Sequence, residues 1–253
     1  MTAPDYLDLE DGRRLAYHRT PASGEGVVQP TVVFLGGFAS DMTGTKATPL
    51  EAWARARGRG FLRFDYTGHG ASSGTFEEGG IGDWARDAED ALTRLTEGPL
   101  TLVGSSMGGW IALLMAKRMP GRLAGLVGVA AAPDFTEDSI LAGLDEVRQQ
   151  VLIEAGRIEL PSDYGDPLVI TSRLIVDGRD HLVLRTPLAI PCPLRLLQGT
   201  ADVDVPVSVA LRLLDHVDCA DARLTLVRGA DHRFSEPSDL SLLTETIAGL
   251  PAA

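Results

Sequence analysis

The sequence lacks a long apolar run, a cysteine framework and an excess of positive charge, and each shortage removes a class of protein. No uninterrupted apolar stretch reaches about 18 residues, so no segment is expected to cross a membrane as a helix. The two cysteines, Cys192 and Cys219, are too few for a disulfide scaffold and lack metal-ligand spacing, which leaves thiols in a reducing compartment. Lysine and arginine number 23 against 35 aspartates and glutamates, a formal net charge of −12. Such a chain repels nucleic acid and anionic membrane surfaces at long range. Met1 to Asp11 is polar and acidic, with neither the layout of a signal peptide nor that of a transit peptide, so a cytoplasmic protein without stable membrane insertion is expected. There are no internal repeats or low-complexity tracts.

What the sequence does have is a core. Of its 253 residues, 44% are hydrophobic and 23% charged, the balance of an ordinary globular protein. One compact domain over 1–253 is expected. Tyr6 to Glu10 and Arg14 to His18 flank Asp11-Gly12, a hairpin signal. Thr31–Leu35 is a continuous apolar run and reads as a strand buried on both faces; Phe61–Phe64, Leu100–Val103, Leu123–Ala130, Leu194–Leu197 and Arg223–Val227 read as further strands. Helical patterns fall between or after them at about Pro49–Arg57, Ile81–Leu95, Met107–Met119, Val207–Val217 and Leu240–Leu250. Strands alternating with helices imply an α/β fold: a mostly parallel sheet with helices on both faces and an antiparallel hairpin at its start.

The rhythm breaks between residues 134 and 190. Residues 137–158 read as a helix with Leu141, Leu144, Val147, Val151 and Ile158 on one face. A turn-rich patch from Pro161 to Pro167 follows, then a further helical stretch at about 168–177. An insert after a strand end is placed to cover a site, because such sheets bind ligands at the carboxyl ends of their strands, so a helical lid is expected.

Gly104-Ser105-Ser106-Met107-Gly108 matches G-x-S-x-G. It follows a buried strand and opens a helix, the setting of a strained turn that exposes a nucleophilic serine. A serine needs a base, and the base a carboxylate to orient it. Of the five histidines, His232 lies C-terminal to the serine, in a loop after a strand; His18, His69, His181 and His216 fall in less suitable places. Asp202 follows the Leu194–Leu197 strand and gives the chain order Ser106, Asp202, His232. Asp204 is its main competitor and Asp134 a weaker one, whereas Asp231 adjoins His232 too closely to reach its Nδ1 and reads as a solvated surface charge. An oxyanion hole needs two backbone donors; the candidates are Met107 N–H, after the serine, and Phe38 N–H in the Gly36-Gly37-Phe38 loop. The 65–74 loop lacks phosphate-loop spacing and reads as a turn beside the site. Trp53, Trp84 and Trp110 read as core packing, while Asp41 and Lys46 read equally as substrate contacts or as solvated charges.

Together with Asp65-Tyr-Thr-Gly68-His-Gly70-Ala-Ser72, Gly199-Thr-Ala-Asp202 and Asp231-His232, these motifs resemble the α/β-hydrolase superfamily. Gly44-Thr-Lys-Ala47, Arg63-Phe-Asp-Tyr66, Phe76-Glu-Glu78, the Trp84 helix and Leu102–Trp110 are similar to the mycophenolic acid acyl-glucuronide esterase family. The animal members of that family are mitochondrial and also act as palmitoyl-protein thioesterases. The resemblance implies a triad of Ser106, Asp202 and His232 with Phe38 and Met107 at the oxyanion hole. The leading expectation is hydrolysis of a carboxylic ester or thioester on a small-molecule or acyl substrate, with no metal or organic cofactor. The alternatives are C–C bond hydrolysis or peptidase action with the same triad, and a non-catalytic binding protein on this fold.

Overall fold

A run such as Thr31–Leu35 has no polar face to offer water, so it must lie within a sheet covered on both sides. The computed structural model, which describes residues 3–161 and 167–251, has twelve strands. They are β1 (Asp5–Asp8), β2 (Arg14–Thr20), β3 (Thr31–Leu35), β4 (Phe61–Phe64), β5 (Leu100–Ser105), β6 (Leu123–Val129), β7 (Arg157–Leu160), β8 (Leu168–Thr171), β9 (Leu188–Ala189), β10 (Leu194–Gly199), β11 (Val217–Asp218) and β12 (Ala222–Val227). Eight form one sheet in the order β1-β2-β4-β3-β5-β6-β10-β12. The β1–β2 and β2–β4 pairs are antiparallel; β4, β3, β5, β6, β10 and β12 run parallel. The expected mixed sheet is therefore present. Its opening hairpin is looser than Asp11-Gly12 suggested: β1 ends at Asp8, and five residues connect it to Arg14. Within them Leu9 N–H bonds Arg13 O and Gly12 takes φ +88°.

Among the described residues seven α-helices accompany the strands: α1 (Ala47–Ala56), α2 (Ile81–Leu95), α3 (Met107–Arg118), α4 (Glu146–Ala155), α5 (Ser172–Arg179), α6 (Val207–His216) and α7 (Pro237–Ala248). Side chains of β3 alternate between two cores. Val33 and Leu35 pack with α2 and α3, whereas Val32 and Phe34 pack with α1 and α7. Trp84 and Trp110 are fully buried in the first core; Trp53 is only half-buried, under the guanidinium groups of Arg57 and Arg59. Among the described residues no helix is long and apolar enough to cross a membrane.

The insert departs most from expectation. The single helix read over 137–158 is broken into a wide π turn at Thr136–Leu141, then α4, then strand β7. The helical run breaks at Leu144-Asp145, where the Asp145 side chain accepts from Arg148 N–H to start a new helix. Gly156, at φ +73°, ends it in the left-handed conformation. Val147 and Val151, placed on the buried face by spacing alone, are 74% and 43% exposed; Leu144, on that same face, is buried as expected, and Leu152, off it, is buried as well. The stretch read as helical at 168–177 begins as strand β8, paired antiparallel with β7, and becomes helix α5 only at Ser172, where Thr171 Oγ1 caps Leu174 N–H. The insert is thus helix and hairpin together. Of the turn-rich patch, residues 162–166 lie outside the described residues.

A clamp closes the insert at its base. Asp134, fully buried at φ +57°, accepts the N–H groups of Val183 and Leu184 at 2.7 and 2.9 Å, and Arg185 adds an ion pair at 3.2 Å. The insert also rests on α2 and α3. Asp177 Oδ2 accepts Gly82 N–H at 2.8 Å, Arg173 meets Asp83 at 2.5 Å, and Trp110 Nε1 donates to His181 O at 3.0 Å.

Candidate active site

Because β3, β5, β6, β10 and β12 are parallel, the loops that follow them leave the same edge of the sheet. Those loops carry Phe38, Ser106, the insert, Asp202 and His232 respectively. Ser106 sits between β5 and α3 at φ +54°, ψ −119°, an unusual backbone for a residue with a side chain. Strain of this kind costs on the order of 1–3 kcal/mol and persists only where the surroundings enforce it. Here Ser106 N–H bonds Val129 O at 3.0 Å, while Ser106 O accepts Gly109 N–H at 2.8 Å and Ala132 N–H at 3.1 Å. The glycines make the turn possible: a Cβ on Gly108 would lie 2.0 Å from Leu35 O, and one on Gly104 2.3 Å from Gly108 O.

His232 Nε2 is 3.1 Å from Ser106 Oγ, and its Nδ1 is 2.9 Å from Asp202 Oδ2. The three residues chosen from chain order therefore meet in space, joined across |i−j| of 126 and 30. Burial alone would raise the Asp202 pKa, but the bonds from His232, Val205 N–H and Gln198 more than offset it and hold the carboxyl below its ordinary value. Asp202 Oδ1 also accepts Asp204 N–H at 3.0 Å and Val205 N–H at 2.8 Å. Asp204 is exposed and contributes a backbone donor to Asp202. Asp134 is committed to the clamp at the base of the insert.

Of the other four histidines, His18 lies in β2 and the remaining three have other partners. His69 is buried among Tyr66, Phe76 and Trp84 and approaches Thr67 O, His181 Nδ1 meets Asp177 O, and His216 Nε2 meets Val183 O and Thr186 O. The 65–74 loop is a turn, as read: Asp65 accepts Met42 and Ala71 N–H, and a Cβ on Gly70 would strike its carboxylate.

Gly37 packs against the serine, since a Cβ there would stand 3.5 Å from Ser106 Cβ. The next residue, Phe38, has its ring against Phe76, Trp84 and Phe135. Met107 opens α3, where first-turn N–H groups have no intrahelical acceptor. The site faces a cavity of about 770 Å³, whose wall includes Ser106, His232, Phe38, Phe76, Phe135, Ile140 and Ile170. Asp41 and Lys46 also line it; Asp41 is tied back to Thr43, and Lys46 donates to Arg233 O.

Three residues have contacts that the sequence reading does not assign them. Gln198, the penultimate residue of β10, bridges from Nε2 to Asp202 Oδ2 at 3.0 Å and Val205 O at 2.9 Å. Asp231 is more than a solvated charge, because its Oδ1 accepts Phe234 N–H at 3.1 Å and fixes the His232 loop. Lys46 reaches that loop from the far side of the chain. Among the described residues Asp202, Asp204 and His232 bring possible metal-ligand atoms within 4.8 Å of one another. Asp202 Oδ2 and both His232 nitrogens are already engaged with each other and with the serine, so the donor set fits an imidazole relay better than a cation.

Residues 27–158 match the family model Hydrolase_4, described as "Serine aminopeptidase, S33". Over 251 residues the chain is 34% identical to the mitochondrial palmitoyl-protein thioesterase ABHD10 of Bos taurus, covering 98% of this chain and 80% of that protein. The mouse structure of α/β-hydrolase domain-containing protein 10 superposes with a TM-score of 0.89 at 33% identity, covering 98% of both chains. A crystal structure of an Agrobacterium vitis S4 protein gives a TM-score of 0.92 at 39% identity, over 98% of this chain and 97% of that one. The fold, the match over nearly the whole chain and the identity agree: this chain belongs to the α/β-hydrolase family that includes ABHD10.

Proposed function

We propose that the protein is a serine hydrolase that cleaves carboxylic esters or thioesters through an acyl-enzyme on Ser106. The observation that carries this reading is the continuous relay from Asp202 through His232 to Ser106, at 2.9 and 3.1 Å. His232 Nε2 takes the Ser106 proton as Oγ attacks the acyl carbon, and the tetrahedral oxyanion is received by Phe38 N–H and Met107 N–H. Asp202 holds the imidazole by its Nδ1–H and stabilises the imidazolium. His232 then protonates the leaving alkoxide or thiolate, and water deacylates the serine by the same relay in reverse. The step requires no metal or organic cofactor.

The chain is read as one domain over 1–253, with residues 134–190 acting as a lid over the cavity. The thioesterase activity named for ABHD10 and the apolar side chains of the cavity support an acyl substrate. A cytoplasmic setting is part of this reading, supported by the free thiols of Cys192 and Cys219.

The test is turnover of an aryl-ester, an acyl-thioester and a small-amide series by wild type and by Ser106→Ala. The amides belong there because the matched family description names an aminopeptidase. Ester and thioester turnover should exceed amide turnover. Ser106→Ala should lose the activity and all labelling by a fluorophosphonate probe. Full turnover by Ser106→Ala would refute the acyl-enzyme.

A further inference from the structure

The loop that carries His232 is held from inside by two devices. Phe234 is fully buried in the second core at φ +47°, and Asp231 Oδ1 accepts its N–H. Between them the peptide carbonyl of Arg233 faces Lys46, whose ammonium donates to it. Lys46 immediately precedes α1, on the loop that follows β3 and also carries Phe38. One side chain therefore ties the loop of the oxyanion donor to the loop of the base, two segments 187 residues apart in sequence.

We infer that Lys46 is a positioning residue for His232, its ammonium fixing the base relative to the oxyanion loop. The inference rests on the roles proposed above for His232 and Phe38. A protonated amine makes a charge-assisted bond to a carbonyl, roughly twice as strong as a neutral one. The charge is easily lost here. Burial is the largest influence and lowers the Lys46 pKa to about 8, with Arg233 acting in the same sense; Asp231 and Asp202, together with Asp239 at the start of α7, act against it. The fixing charge is thus present below about pH 8 and disappears above it. A solvated surface lysine would keep its charge up to about pH 10.

The experiment measures the rate of labelling by a fluorophosphonate probe against pH, because labelling reports activation of the serine whatever the natural substrate is. Wild type should gain rate as His232 loses its proton, then lose about three- to tenfold between about pH 7.5 and 9.5. Lys46→Arg keeps a charged donor throughout and should show no alkaline fall. Lys46→Met should label about tenfold more slowly at neutral pH, also without an alkaline fall. Melting temperatures confirm that each variant is folded. A wild-type rate that stays flat through about pH 9.5, an equal alkaline fall in folded Lys46→Arg, or a Lys46→Met rate within about twofold of wild type overturns the inference. Labelling that survives Ser106→Ala would overturn the acyl-enzyme reading instead, so the two failures are distinct.

Discussion

Asp202→Asn is the sharpest perturbation of the site, because four donors converge on its carboxylate. Its Oδ1 takes the N–H groups of Asp204 and Val205, and its Oδ2 takes His232 Nδ1 and Gln198 Nε2. The side chain is 0% exposed, so water cannot replace any of them. Asparagine has a single acceptor oxygen. If that oxygen serves the two backbone donors, the amide NH2 meets His232 Nδ1 and the Gln198 amide. His232 must then accept at Nδ1 and carry its proton on Nε2, facing Ser106 Oγ, where it cannot act as a base. Loss of the anion also removes the partner of the imidazolium. The same substitution in other serine hydrolases costs about 10⁴ in kcat, which is about 5.5 kcal/mol of transition-state stabilisation. The assay is steady-state hydrolysis of a p-nitrophenyl ester at neutral pH, with Asp204→Asn beside it. Asp204 is exposed and bonds Asp202 through its backbone N–H, which the substitution leaves in place, so its variant should lose less than about tenfold. If Asp202→Asn kept more than a tenth of wild-type kcat/KM, or Asp204→Asn fell as far, Asp202 would not be the orienting carboxylate.

Two further predictions concern the fold around the site. Gly108→Ala places a Cβ 2.0 Å from a backbone carbonyl that cannot swing aside, so Ser106 labelling should collapse and stability fall by about 1–3 kcal/mol or more, whereas Gly121→Ala meets nothing within 4 Å and should leave Tm and labelling unchanged. His69 is nearly fully buried, and that burial pushes its imidazole from 6.5 down to about 4. The unfolded chain then binds a proton below about pH 6.5 and the folded one only below about pH 4, so stability should decline across that window by at most about 3 kcal/mol. His69→Phe should flatten this part of the urea midpoint against pH, and an unchanged slope in the variant would show that other groups set the acid limit.

What could be read in the sequence follows from how local each signal is. Thr31–Leu35, Phe61–Phe64 and Ile81–Leu95 fall on their elements as read, because strands covered on both faces are predominantly apolar and long amphipathic helices repeat their pattern. Ser106 could be read because the steric demand of its turn is written into five consecutive residues. The insert could not be. Its leucines and valines fit a helical period, but Asp145 and Gly156 each offer the backbone a better local alternative, and β7 and β8 are short strands that pair chiefly with each other. The contacts of Lys46 with the His232 loop, and of Gln198 with Asp202, depend on where distant loops come together, and no local pattern encodes them. For Asp231, an aspartate three residues before a buried aromatic was the available hint of a turn.

The Asp134 clamp also bears on how such a protein changes over time. By binding the N–H groups of Val183 and Leu184, it returns the chain to where it left the sheet after an excursion of about fifty residues. A segment whose ends are already joined adds little to the cost of the rest when its length varies: each doubling costs only about 0.6 kcal/mol in closure entropy. The insert can therefore be shortened, lengthened or replaced as a cassette between two fixed points, while β5, β10 and β12 continue to deliver Ser106, Asp202 and His232, the proposed nucleophile, carboxylate and base, to the same edge. In a lineage built this way, what the enzyme accepts is free to drift while the bond-breaking apparatus is inherited intact.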